Sequence, residues 1–463
     1  MNKEEKQNVL SNITSIPSKA LAEYILKEEV TVEEMMETGE LDASKRLEIL
    51  NIIEIEKEKL RKLKAEELEK LKQSEQIEWN VVSNANNIAA IEVFIQKYPN
   101  GIYFRKACDL LEYIQENEKE KIKILDEIKN NSNKYTPDVI LEFIENKIIS
   151  EDDLLSIGIP KIIIENLSGK KENLTLGQIP DSLAEGYTEV YFWGLPGSGK
   201  TCALSAILSE GVSSGAIQTS DGPGLHYMNQ LSNVFLENIG VLPERTPQED
   251  TQYLPFEIKD ESGIYHPISL VELSGEIFRT FYLKSADQPV PARLQEVYER
   301  VISYLSSNNK KIHFFIIDVT RDPRKKDKHG ITQKQYLIAM ERFLDKSKIF
   351  KNTTDGVYII TTKSDKLSEY PEERKEIAIQ HLKTEYNAFV EALKRSLKNN
   401  KLSNGLDLIP FSLGKVYFND LCYFDNTNSI EILKIFKEKT SKKRTISLIN
   451  KLKDIFNERN GKI

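Results

Sequence analysis

The stretch Thr188-Glu-Val-Tyr-Phe-Trp-Gly-Leu-Pro-Gly-Ser-Gly-Lys-Thr201 constrains this chain more than any other. It opens on Val190, Tyr191, Phe192 and Trp193, an apolar and aromatic run of the kind that forms a buried strand. Gly194, Gly199, Lys200 and Thr201 then stand in the spacing G-x-x-x-x-G-K-T, and Cys-Ala-Leu-Ser-Ala-Ile-Leu follows as a helix start. Strand, glycine loop and helix in that order are the context of a phosphate-binding loop. Glycines let successive backbone N–H groups converge on phosphate oxygens, and the helix N-terminus adds partial positive charge. The residues expected along a bound phosphate chain are Gly194, Pro196, Gly197, Ser198, Gly199, Lys200, Thr201 and Cys202. Lys200 would reach the β- and γ-phosphates, the Thr201 hydroxyl would bind Mg²⁺, and Cys202 would pack under the loop.

Around this stretch the composition is that of a multi-domain globular chain. Its 463 residues fit two to four domains, and 40% hydrophobic content is ample for their cores. The net charge of −8 gives no whole-chain attraction for nucleic acid, and the basic run Lys442-Lys-Arg444 is short and lacks interleaved aromatics. Cys108, Cys202 and Cys422 form no metal-ligand spacing and suit a reducing compartment. The N-terminus lacks the apolar core of a signal peptide, and no run approaches the ~18 apolar residues of a membrane span. The expectation is a cytoplasmic protein, and richness in Lys, Asn, Ile and Glu resembles chains from AT-rich bacterial genomes.

Residues 1–175 carry almost no strand signal and are expected to be all helical. Two segments in them match at a constant offset of 119 residues: Leu21–Ile25, Val30–Met36 and Gly39 against Ile140–Ile144, Ile149–Leu155 and Gly158. Thr31 with Glu34, and Ser150 with Asp153, make matching helix starts, and the glycines fit helix ends. Two copies of one helical module follow, over 1–45 and 131–175, and repetition of this kind points to docking of a protein partner. Between them, over 46–130, a charged helix is expected over 54–76, followed by a tetratricopeptide-like helix pair around Tyr98-Pro-Asn-Gly101. Polar residues from Ser168 to Gln178 read as a linker into the domain at 186–463.

From Thr188 the period changes to strands alternating with helices, which predicts an α/β fold with a mostly parallel sheet. A Gly-, Ser- and Pro-rich segment fills 211–250. Two strands around Asp260-Glu-Ser-Gly263 then predict an antiparallel hairpin running into Glu272-Leu-Ser-Gly-Glu276. Further strands are expected at 312–318, 356–365 and 408–416.

Over roughly residues 186–440 the chain resembles the translation-factor-like class of P-loop GTPases. Thr362-Lys-Ser-Asp365 resembles the guanine-specifying [N/T]-K-x-D signature, Glu272-Leu-Ser-Gly275 an altered D-x-x-G, and Ser412-Leu413-Gly414 the serine loop bordering the base. The resemblance implies GTP/GDP and Mg²⁺ as ligands. Asp365 would accept both guanine donors, with Thr362, Lys363, Ser412 and Leu413 beside the base. Glu272 stands where an Asp contacts Mg²⁺, Gly275 flanks the γ-phosphate, and Glu276 takes the place of a water-orienting Gln, which implies slow hydrolysis. Thr246 or Thr251 is the Mg²⁺-ordering switch threonine, and Arg245 and Arg279 are candidate charge stabilisers. The long insertion and the Ser-Gly-Glu also resemble the double-GTPase, or GTPase-associated, proteins of bacterial conflict systems.

The function expected is a slow GTP-hydrolysing switch coupled to partner docking. Two other readings stay open: a signalling ATPase with Asp318, after Phe314-Phe-Ile-Ile, as the Walker B carboxylate, and a scaffold that binds nucleotide without hydrolysing it. The oligomeric state is left open.

Overall fold

The computed structural model describes residues 2–171, 174–175, 179–236, 238–243, 251–347, 350–400, 402 and 405–441. They fall into two compact units, Met1–Lys123 and Ile124–Ile463.

In the first unit, α1 (Lys3–Ser11), α2 (Ser18–Leu26), α3 (Val32–Glu37) and the first turns of α4 (Ala43–Ala85) close around Ile13, Leu21, Ala22, Met35 and Ile49. The 43 residues of α4 exceed the expected helix at both ends. Along its middle Leu60, Leu63, Leu68 and Leu71 are all exposed, and pairs such as Lys59–Glu56 and Arg61–Glu58 line its surface. Near its end, Val82 packs with Ile91 and Phe94 of α5 (Ile88–Lys97) and Ala107 of α6 (Phe104–Asn130). The turn between α5 and α6 needs Gly101, because a Cβ there would lie 2.2 Å from the buried Glu75 carboxylate.

In the second unit, α7 (Pro137–Glu145) and α8 (Glu151–Ser156) reproduce the bounds of α2 and α3 at the expected offset. Both α3 and α8 carry a full capping box. Glu28 and Lys147 are left-handed, and so are Gly39 and Gly158. The second segment is part of the unit that holds the phosphate loop. Ile159, with Ile163 and Ile164 of α9 (Lys161–Glu165), shares a core with Tyr417, Phe418 and Leu421. The Phe418 N–H donates to the Ser132 carbonyl at 3.1 Å, and the Asn419 N–H to the Asn133 side chain at 2.8 Å. Leu174, inside the expected linker, packs on the sheet's core. The compact unit therefore begins at Ile124, and the polar stretch after Ser168 does not divide it.

The remaining elements follow in order: β1 (Thr188–Gly194), α10 (Lys200–Ser213), β2 (Ile217–Thr219), α11 (Leu225–Ser232), β3 (Phe235–Leu236), β4 (Ile239–Val241), β5 (Gln252–Lys259), β6 (Tyr265–Glu272), α12 (Glu276–Ser285), α13 (Ala292–Leu305), β7 (Lys310–Asp318), α14 (Gln333–Ser347), β8 (Thr354–Thr362), α15 (Pro371–Glu385), α16 (Asn387–Asn399), β9 (Asp407–Phe411), β10 (Gly414–Tyr417), β11 (Leu421–Phe424) and α17 (Thr427–Ser441). The main sheet has the order β2-β5-β6-β1-β7-β8-β9. Strands β6, β1, β7, β8 and β9 are parallel, and β5 runs against β6 as the expected hairpin. Side chains of β1 alternate across it: Val190 and Phe192 pack beneath α10, α11 and α17, while Tyr191 and Trp193 face α12, α14 and α16. The fold class is the one expected. A separate antiparallel sheet, β10-β11-β4-β3, was not expected.

One polar cluster is enclosed by this core. The Lys311 ammonium, fully buried, lies 3.2 Å from the Glu189 carboxylate and donates to the Ser307 and Asn309 carbonyls at 2.8 and 3.0 Å. Glu189 also accepts from Tyr191 at 2.7 Å and from the Asn309 amide at 2.9 Å. Removing the cation alone strands a buried carboxylate, so Lys311→Met is expected to cost about 3–5 kcal/mol of stability. Adding Glu189→Gln should recover part of that loss. Chemical denaturation of the three proteins checks this, and a loss below about 1 kcal/mol for Lys311→Met contradicts it.

Candidate nucleotide site

Parallel strands leave a crevice beyond their carboxyl ends, where ligands of open α/β sheets bind. Here that crevice is a cleft of ≈ 1010 Å³ lined by Pro196, Gly197, Gly199, Lys200, Thr201 and Cys202, by Glu272–Glu276 and by Arg279, Asp318, Arg321 and Lys363. Gly197 and Gly199 adopt φ of +73° and +83°, which L side chains rarely take, and this turns the loop into α10. The Lys200 ammonium is buried and folds back on the loop, donating to the Gly194 and Leu195 carbonyls at 2.8 and 3.2 Å. Burial pulls its pKa down to about 8. Ser198 Oγ is buried with no hydrogen-bond partner among the described residues. Burial and the Glu272 charge push the Cys202 thiol up to about 11, so it stays protonated at neutral pH.

Thr201 and Glu272 meet. The Thr201 hydroxyl donates to Glu272 Oε1 at 2.6 Å, and Tyr227 from α11 donates to Oε2 at 2.8 Å. Oxygen donors of this kind suit Mg²⁺, which usually takes one or two protein ligands and completes its octahedron with waters and phosphate oxygens. Among the described residues no group of three or more His, Cys, Asp or Glu converges as a metal cage. Tyr227 sits in the Gly-, Ser- and Pro-rich segment 211–250, where no element is expected from the sequence. The missing signal is α11, an eight-residue helix after Gly224.

Gly275 lies against the phosphate loop so closely that a Cβ would be 2.4 Å from the Pro196 nitrogen. Ser274 N–H donates to Thr251 Oγ1 at 3.2 Å, which sets Thr251 beside the Glu272–Gly275 loop. Thr246 and Arg245 lie outside the described residues. Glu276 opens α12, is nearly buried, and faces Arg279 at 3.6 Å. Its Oε2 makes no hydrogen bond among the described residues. The Arg279 charge is thus committed to this carboxylate.

At the end of β8, Thr362 Oγ1 donates to the Ser198 carbonyl at 2.7 Å and ties this loop to the phosphate loop. Lys363 is left-handed and pairs with Asp318 at 2.7 Å. Asp365, on the single 3₁₀ turn Ser364–Lys366, accepts from Ser412 Oγ at 3.1 Å and faces Lys366 at 3.4 Å. Asn428 fixes Ser412 from behind, accepting its N–H at 2.9 Å, while the Leu413 carbonyl accepts from Asp425 at 2.8 Å. The expected site residues within the described segments lie at strand ends, in loops or in the first turns of helices; Gly194, Glu272 and Thr362 close β1, β6 and β8, and Lys200 and Glu276 open α10 and α12. Asp365 and Ser412 are in direct contact, as are Thr201 and Glu272.

No family model and no curated protein matches the chain. Among solved structures it is similar to nucleolar GTP-binding protein 1 from Plasmodium falciparum, at 13% identity and a TM-score of 0.28, over 60% of this chain and 98% of that one. It is also similar to the Ski7 GTPase-like domain of S. cerevisiae. The GTP-bound form matches at 14% identity and TM-score 0.28, and the form bound to GDP and inorganic phosphate at 14% and 0.29; each match covers 56% of this chain and 52% of that one.

Proposed function

We propose that the chain binds GTP and hydrolyses it slowly. The observation that carries this reading is the hydrogen bond from Thr362 to the Ser198 carbonyl. It fixes the Thr-Lys-Ser-Asp turn at a set distance from the phosphate loop, as a nucleotide spanning both loops requires. Asp365 would then accept guanine's N1–H and N2–H₂, a pair of donors that adenine lacks. Lys200 and the loop amides would hold the phosphates, and Thr201 and Glu272 would hold Mg²⁺. When bound, that ion neutralises charge on the β- and γ-oxygens. Glu276 faces the γ-phosphate side with a carboxylate, which favours slow turnover. Loss of the γ-phosphate would free Thr251 and the loop at Gly275, and the helical segments of α2–α3 and α7–α8 would dock a protein partner. The resemblance to bacterial conflict-system proteins makes defence signalling the setting we favour for this switch.

The ATPase reading would need Asp318 at the metal. Asp318 is instead engaged by Lys363 and by Thr320, whose N–H and hydroxyl donate to it at 2.9 and 2.7 Å. The test is Asp365→Asn in a competition titration. It replaces one acceptor by an NH₂ that opposes a guanine donor but complements the acceptor of xanthine. GTP affinity is expected to fall by about two to three orders of magnitude, the cost of an unpaired buried polar group, while xanthosine triphosphate affinity rises. Tighter ATP than GTP binding in the parent protein refutes the guanine reading.

A further inference from the structure

Among the described residues the Arg321 guanidinium makes one hydrogen bond and no ion pair. Its Nη1 donates to the Pro196 carbonyl at 3.0 Å, on the phosphate loop itself. It lines the cleft and is half-buried. Among the described residues no carboxylate forms an ion pair with it, whereas Arg279 and Lys363 in the same cleft are each paired. A guanidinium carries five N–H donors, and one is used here. The cleft that Arg321 lines is also lined by the Lys200 loop and Gly275.

The segment that presents Arg321 is held firmly. Asp318, almost fully buried at the end of β7, turns the chain by accepting from Thr320 and is itself anchored by Lys363. The Arg321 N–H returns to the Asp318 carbonyl at 3.4 Å. Pro196 thus lies close to both Gly275 and the Arg321 guanidinium.

We infer that Arg321 is a built-in charge stabiliser for phosphoryl transfer, a cation supplied in cis where other systems take one from an activating partner. This rests on the guanine-nucleotide reading above. In the reaction a water oxygen bonds to the γ-phosphorus in line as the bond to the β–γ bridging oxygen breaks. The bond's electron pair leaves with GDP, and the water's proton passes to the released phosphate or to solvent. Arg321 donates N–H groups to the oxygens on which negative charge grows, where a fixed donor in a sheltered cleft acts most strongly. Its job is distinct from that of Lys200, which binds ground and transition state alike.

The experiment uses the full chain as wild type, Arg321→Ala, Arg321→Gln and Arg321→Lys. Two readouts accompany single-turnover hydrolysis: the affinity for a fluorescent GDP analogue, and capture of that GDP by fluoroaluminate, which mimics the transferring phosphoryl group. We expect wild type to capture fluoroaluminate without any partner. Arg321→Ala and Arg321→Gln should keep GDP affinity within about threefold, lose capture, and hydrolyse at least about a thousandfold more slowly, the lower end of the range for supplied arginines. Arg321→Lys should recover little, because a point charge lacks the planar fork. Gln can still donate to the Pro196 carbonyl, so rescue by Gln would reduce Arg321 to a buttress of the loop and overturn the inference. Failure of wild type to capture fluoroaluminate, or undiminished capture by Arg321→Ala, also overturns it while leaving guanine binding intact. A wild type that binds no guanine nucleotide at all removes the underlying reading instead, and the inference with it.

Discussion

Lys200→Met is expected to weaken triphosphate binding by about two to four orders of magnitude without unfolding the protein. Each hydrogen bond to a charged group contributes about 1.5–3 kcal/mol, and an ammonium bridging two phosphate oxygens makes two of them. The free protein already shows how this cation is used. It is buried, desolvated to a pKa of about 8, and among the described residues donates to the carbonyls of Gly194 and Leu195. Those carbonyls are weaker acceptors than a phosphate, so ligand binding exchanges poor partners for charged ones. Methionine keeps the length of the stem and its packing, and removing a desolvated charge costs the fold little. Calorimetric titration with GTP checks the first part and thermal denaturation the second. A folded Lys200→Met protein with parental GTP affinity would end the phosphate-loop assignment.

The second large effect concerns where the chain can be cut. A chain starting at residue 104 keeps α6–α9, including the residues from Ile124 to Leu167 that share a core with Tyr417, Phe418 and Leu421. A chain starting at residue 176 uncovers Tyr417, Phe418 and Leu421, which are at most 4% exposed in the whole protein. At about 1.5–3 kcal/mol per apolar side chain, that exposure costs about 4–9 kcal/mol, comparable to the whole stability of a typical domain. The longer product should elute as a single species with a cooperative melt, and the shorter one should aggregate. Equal stability of the two would mean that α7–α9 contribute nothing to the unit in which they sit.

Much of this architecture was legible in the sequence because its signals are local. Strands β1, β7 and β8 of the main sheet are long apolar runs, whereas β2 is only three residues and has no such signal, and the phosphate loop is marked by glycines that accept its positive φ. The matched helical segments could be read because capping boxes and C-terminal glycines are written in neighbouring residues. What escaped depends on distance along the chain. Strands β3, β4, β10 and β11 have two to four residues each, too few to show a period, and they exist because they pair with one another. Tyr227 reaches Glu272 across 45 residues, and Arg321 reaches Pro196 across 125. No local pattern announces such a bond. The polar run after Ser168 has linker composition, yet Leu174 within it packs on the core, a contact that no local pattern signals.

The bonds between Asn133 and Asn419 join residues 286 positions apart. On a ribosome adding about 5–20 residues per second, the helical segment would emerge and then wait roughly 15–60 s for the hairpin that covers it. During that interval Ile159, Ile163 and Ile164 have no partner from the sheet, although in the finished protein all three are buried. The nascent chain therefore carries a sticky apolar patch for most of its own synthesis, and a chaperone or slow translation through the later strands would determine how much of it reaches the native state.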